Sequence, residues 1–165
     1  MTSDAATASF FQRRIRGPIV AQLKQGITPE KIALTLALGS LLGIFPILGS
    51  ATALCAIAAI ALRLNQPIIQ LVNYLVYPLQ VILLLPFYRA GETLFGQPHV
   101  PIFSVLELVE RFRAGPAQFV VDYGMVALYG ITVWCLLAPP AGALLYFLLK
   151  PALQGLASQI RRGKA

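Results

Sequence analysis

Charged side chains are scarce in this sequence. They make up 12% of the 165 residues, about half the share of an ordinary soluble domain, while apolar residues make up 58%. Three runs contain no charge: thirty-one residues between Lys31 and Arg63, twenty-five over Leu64–Tyr88 and twenty-seven over Tyr123–Leu149. Because about twenty apolar residues cross a bilayer as a helix, each run predicts a membrane-embedded segment. The sequence therefore predicts an all-α integral membrane protein.

Groups that could carry chemistry are equally few. The two cysteines, Cys55 and Cys135, lie far apart in apolar runs and form no CxxC pair, which indicates reduced packing residues. The single histidine, His99, lies in a Gln-Pro-His-Val-Pro loop, where we expect simple exposure. No HExxH, GxSxG, P-loop or GxGxxG motif occurs. We therefore expect no enzyme activity, no catalytic residue, no metal and no cofactor.

The N-terminal segment, residues 1–27, lacks the apolar core of a secretion signal. Thr2–Ser9 is polar or small, and three arginines follow between positions 13 and 16. We therefore expect the protein to keep this segment. Phe10–Gln25 mixes apolar and basic residues in a way that suits an interfacial helix on an anionic lipid surface.

The first charge-free run is too long for one membrane crossing. An unbroken helix over residues 32–62 would measure about 46 Å, whereas the hydrocarbon core is about 30 Å thick. The run is interrupted by Gly-Ile-Phe-Pro-Ile-Leu-Gly, where proline and glycine break a helix. We predict a hairpin over residues 28–64, with helices near Thr28–Gly43 and Ser50–Leu64 and a turn at Phe45–Leu48. The residues that define the break are Gly43, Pro46, Gly49, Ser50 and Thr52.

The tip of this hairpin has two interpretations. It is a structural turn, which we favour, or the free N–H groups at the start of the second helix bind an anion such as a lipid phosphate. The hairpin itself either turns back within the membrane or crosses it twice in two short helices. The sequence leaves this second choice open.

The basic residues indicate the topology. Nine lie in the two tails and three in the loop Arg89–Asp122, which also carries four acidic residues. Because basic residues are retained on the cytoplasmic side, we predict that both termini are cytoplasmic and that the loop faces outside. The net charge of +7 does not indicate a nucleic-acid partner, since its basic residues flank the membrane segments.

The remaining segments complete a single membrane domain over residues 28–150. It contains a span at 64–88, an outer loop with a short helix at 104–113, and a span at 123–149, and a basic tail follows at 151–165. A capping box, Ser104 to Glu107, opens the short helix. We expect Pro139-Pro140 to interrupt the last span, by either a kink or a reversal. No β-strand is expected.

A stripe of polar side chains marks the second run. At about 100° per residue its five members share an arc of about 80° on one helix face. They are Gln66, Gln70, Asn73, Tyr77 and Gln80. Because unsatisfied amides are costly in hydrocarbon, the stripe must face protein or water. Bonding between helices is the favoured role, and lining of a substrate cavity is the alternative.

Small residues recur four positions apart in two runs. Gly39 and Gly43 form a GxxxG pair, and Ala138 and Gly142 repeat the small-xxx-small spacing. This spacing is common where membrane helices approach each other closely, so both pairs predict helix packing.

Two motifs resemble a known family. Leu38–Gly49, which reads Leu-Gly-Ser-Leu-Leu-Gly-Ile-Phe-Pro-Ile-Leu-Gly, and Ala61–Pro67, which reads Ala-Leu-Arg-Leu-Asn-Gln-Pro, are similar to the bacterial membrane family called domain of unknown function 2062. The resemblance spans Ile32–Gly91 and, more loosely, Pro139–Tyr146. It implies an integral membrane protein of bacteria, in a family sometimes joined to glycosyltransferase domains, and it implies no reaction.

These observations lead to two functional hypotheses. The first is a non-catalytic accessory or scaffold protein of envelope metabolism in the bacterial inner membrane. The second is a module that translocates a lipid or small molecule through the broken hairpin and the polar stripe. The expected partners are anionic lipid headgroups at the basic tails, together with a second copy of the chain or another membrane protein.

Overall fold

The computed structural model describes residues 27–99 and 105–162, together with Gly17 and Val20. Within these ranges the chain forms helices and no β-strand, so the predicted all-α class is confirmed. The interfacial helix predicted at Phe10–Gln25 and the capping serine Ser104 lie outside the described residues. The helices are α1 (Pro29–Gly43), α2 (Ala51–Ala61), α3 (Gln66–Leu94), α4 (Val105–Ala114) and α5 (Pro116–Arg162).

Local capping explains where the first helices begin and end. Thr28 caps α1 by accepting a hydrogen bond from the Lys31 backbone N–H at 3.4 Å, and proline occupies the first helical position. The chain is non-helical from residue 44 to 50. Asn65 caps α3 by accepting from the Ile68 N–H at 3.0 Å. A non-helical segment therefore separates α1 from α2 where glycine and proline predict one; its placement in a membrane stays a prediction.

The last helix differs from the expectation. α5 runs for 47 residues through Pro139, Pro140 and Pro151, so the predicted interruption is not a reversal of the last span. Proline fixes φ at a helical value and removes one backbone donor, which a helix packed against its neighbours tolerates. The helix also continues past the boundary drawn at residue 150. Leu153, which is only 6% exposed, packs against Ile32 and Ala33 of α1.

Helix α1 lies at the centre of the packing. It contacts α2, α3 and α5, and α3 also contacts α5. One apolar cluster joins α1 to the end of α5, and a second joins α2 to α3 through Cys55, Ala59 and Ile69. This arrangement brings the segment between α1 and α2 against both long helices.

Candidate functional site

The candidate site is the turn, defined here as residues 44–50 between α1 and α2. Its backbone folds on itself, since the Ile47 N–H donates to the Phe45 carbonyl at 2.8 Å. Pro46 is buried, and Gly49 adopts φ +85°, a left-handed conformation that favours glycine. Such a turn leaves several carbonyl groups without helical partners, and each needs a donor if the segment is shielded from water.

Gln80 of α3 supplies the first of these donors. Its side chain is 1% exposed, and its Nε2 donates to the Phe45 carbonyl at 2.7 Å and to the Ile47 carbonyl at 3.4 Å. One amide of the polar stripe thus binds two backbone oxygens of the turn.

Gln70 and Asn73 bind the start of α2. The Gln70 Nε2 donates to the Thr52 carbonyl at 3.0 Å, and the Asn73 Nδ2 donates to the Thr52 hydroxyl at 3.2 Å. Asn73 also donates to the Gln70 Oε1 at 3.3 Å, so the two amides form one network. The Ser50 hydroxyl donates to the Ile47 carbonyl at 2.8 Å. Both tip hydroxyls therefore make protein contacts, while anion binding at the tip stays a prediction.

The other two members of the stripe behave differently. The Oε1 atom of Gln66 is buried and has no hydrogen-bond partner in the described part of the chain. Tyr77 is 50% exposed and makes none of the hydrogen bonds described above. The structure thus places Gln80 against the turn and Gln70 and Asn73 against the start of α2, and it leaves Tyr77 outside this network.

Two aromatic donors that the sequence reasoning missed complete the site. The Tyr88 hydroxyl donates to the Pro46 carbonyl at 2.7 Å. The Trp134 Nε1 of α5 donates to the Leu41 carbonyl, near the end of α1, at 3.2 Å, and its ring meets Phe45 edge-on at 5.0 Å between centroids. The signal was available, because a tyrosine or tryptophan within a membrane run carries a polar atom that requires a partner.

Small residues allow the helices around the turn to approach closely. A Cβ atom at Gly39 would lie 3.0 Å from the Cβ of Val72, and one at Gly43 would clash with the Val76 side chain. On the other side of α1, a Cβ atom at Gly142 would clash with the Leu41 side chain. Ala138, one turn earlier in α5, is buried. The GxxxG pair therefore contacts α3, and the second small pair lies towards α1.

A buried acid at the other end of α3 was also missed. Glu92 is completely buried, and its Oε2 lies 2.8 Å from the Nη1 of Arg89 and 2.8 Å from the Nδ1 of His99. His99 is exposed, as expected, but it also contacts this carboxylate. The Arg-x-x-Glu spacing at the end of the second run was the available signal, because it places both side chains on one helix face. Residues 27–99 and 105–162 contain no group of three or more metal-ligating side chains.

Two helices are long and apolar enough to cross a membrane. They are α3 and the Pro116–Ile160 part of α5. The most apolar eighteen residues of α3 are 28% buried, and those of α5 only 11%. Large apolar side chains are exposed on both helices, including Ile82, Leu144 and Phe147, each more than 60% exposed. Such surface is unusual for the core helix of a soluble protein.

Comparison with known proteins identifies the family. A family model described as "Uncharacterized protein conserved in bacteria (DUF2062)" matches residues 12–162. No curated protein and no solved structure matches the chain. The match includes the turn, its donors on α3 and α5, and the small-residue pairs. The chain belongs to the DUF2062 family.

Proposed function

We propose that this protein is a multi-pass integral protein of the bacterial inner membrane that acts as a non-catalytic scaffold in envelope metabolism. The membrane assignment is supported by the exposed apolar surface of α5. Only 11% of its most apolar eighteen residues are buried. In water, such a surface would favour aggregation, whereas lipid tails would solvate it.

A simple fractionation tests the membrane assignment. The full chain, expressed in a bacterium with a short C-terminal tag, is expected to stay in the membrane pellet after alkaline carbonate and to enter solution only with detergent. A peripheral protein held by its basic tails would instead be released by carbonate or high salt. Release under those conditions would contradict the proposal.

The scaffold role rests on one observation, the engagement of the stripe amides with the turn. Gln80 donates to backbone oxygens of the turn, and Gln70 and Asn73 donate to oxygens of Thr52 at the start of α2. A translocation path needs polar groups that are free to exchange partners with a passing substrate. The observed bonds favour a role in which the polar stripe holds the turn and the start of α2 in place against α3.

Paired variants separate the two roles. In Gln70→Leu and Asn73→Leu we expect a loss of about 0.6–2 kcal/mol in the free energy of unfolding per lost bond, because each change removes a bond between helices. We expect no movement of labelled phospholipid or polyprenyl phosphate across proteoliposomes by the unaltered chain. Movement that these variants abolish, while they still fold and insert, would establish translocation instead.

A further inference from the structure

A basic cavity lies at the end of the molecule where α1 begins and α2 meets α3. It has a volume of about 320 Å³, and its lining includes Lys31 and Arg63. Thr28 and Asn65, the N-cap residues of α1 and α3, also line it. None of the described residues that line it carries a carboxylate.

The backbone at Arg63 is the most unusual feature of this cavity. Arg63 has φ +52° and is the only described residue other than glycine with a positive φ. It follows α2 in a Schellman arrangement, in which the Arg63 N–H donates to the Ile60 carbonyl at 3.3 Å and the Leu64 N–H to the Ala59 carbonyl at 2.8 Å. Both bonds use backbone atoms, so glycine would make them without the steric cost that an arginine bears.

The arginine side chain is therefore not required by the turn, which points to a role in the cavity. Within the described residues, neither Arg63 nor Lys31 has an acidic partner. Glu30, the residue directly before Lys31, accepts instead from the Gln154 Nε2 of α5 at 2.7 Å. The pKa of Glu30 lies below its ordinary value because its own backbone N–H and the Gln154 amide stabilise the carboxylate. Glu30 thus interacts with α5, and the two cations keep their charge available.

We infer that the cavity binds a phosphate group, and that Arg63 and Lys31 are its ligands. Two cations that have no acidic partner among the described residues line a space larger than a phosphate, which is the composition of an anion site. On the proposed membrane topology this end lies at the cytoplasmic surface, where phosphate groups of anionic lipids are abundant. The inference that a lipid supplies the phosphate group rests on that proposed function. The inference that a phosphate group binds in the cavity does not.

Binding to the purified full chain in detergent tests the site. Phosphatidylglycerol binding is measured by native mass spectrometry against phosphatidylcholine, and inorganic phosphate binding by ³¹P NMR. We expect Arg63→Gly and Lys31→Gln each to weaken anion binding about tenfold. The thermal unfolding midpoint of Arg63→Gly is expected to equal or exceed that of the unaltered chain, because glycine prefers the positive φ.

A matched control distinguishes binding at this cavity from non-specific attraction of anions by the net positive charge of the protein. Arg113→Gln removes one exposed basic residue from α4, outside the two basic tails, and is expected to bind anions as the unaltered chain does. Phosphatidylglycerol binding that inorganic phosphate does not displace assigns a lipid headgroup; displacement assigns a soluble phosphate compound. Equal losses in Arg113→Gln and Arg63→Gly, or no loss in Arg63→Gly and Lys31→Gln, would overturn the inference. The phosphate measurement remains decisive even if the membrane assignment fails.

Discussion

Individual polar side chains stabilise the turn by satisfying backbone oxygens that no helix can satisfy. Gln80 reaches two carbonyls, Tyr88 reaches the Pro46 carbonyl, and Trp134 reaches Leu41 at the end of α1. Each such hydrogen bond contributes about 0.5–1.5 kcal/mol, and together they are large against the net stability of a small domain. These donors therefore decide whether the non-helical segment can exist in an apolar environment.

Replacement of Gln80 by leucine tests this point. Gln80→Leu keeps the side-chain volume and removes the side-chain donor of the Phe45 carbonyl, which still accepts from the Ile47 N–H, so we expect the free energy of unfolding to fall by about 0.5–1.5 kcal/mol. Tyr77→Phe is the matched control, because Tyr77 is half exposed and takes no part in the turn network. Equal stability of the two variants in detergent denaturation would contradict the assigned role of Gln80.

At the scale of the elements, the small residues of α1 set how closely it approaches α3. Gly43 lies against Val76 and the Asn73 backbone, with the Asn73 Cα 3.2 Å from where a Cβ would be. The same approach brings the Asn73 amide within reach of Thr52. Close packing of α1 and the hydrogen bonds of the polar stripe are therefore parts of one interface.

Gly43→Ala should disturb this interface. The added methyl group would clash with the branched Val76 side chain, and we expect a loss of about 1–3 kcal/mol in the free energy of unfolding. Gly124→Ala in α5 is the comparison, because a Cβ there meets nothing within 4 Å. Since alanine is the better helix former, Gly124→Ala should leave the stability unchanged or raise it by up to about 1 kcal/mol. A stabilising effect of Gly43→Ala would refute the close contact.

At the scale of the whole molecule, the long α5 packs along α1, from the turn at the end of α1 to the start of α1. Trp134 contacts Leu41 at one end of α1, and Leu153 packs on Ile32 and Ala33 at the other. Because α5 continues through its prolines, the chain makes no second reversal there. The proposed topology then has an even number of crossings, with α1 and α2 forming a hairpin before α3 and α5.

Reporter fusions at Met1 and Ala165 test this topology. We expect both reporters to report the cytoplasm, since nine basic residues lie in the two tails. A fusion in the loop between α3 and α4, at Pro98, should report the opposite compartment. Reporters at the two termini in different compartments would exclude the proposed arrangement.

Composition and spacing alone were enough for the helical class, the family and the segment between α1 and α2 that is not helical. The reason is that long charge-free runs favour helices, while glycine and proline interrupt them locally. The path through Pro139 and Pro140 depended on tertiary contacts, because neighbouring helices determine whether a proline ends a helix. The pairing of Tyr88 and Trp134 with the turn, and the meeting of Lys31 with Arg63 in one cavity, were also decided only by the tertiary structure. These residues are tens of positions apart in the chain, and no local rule relates them before the helices pack.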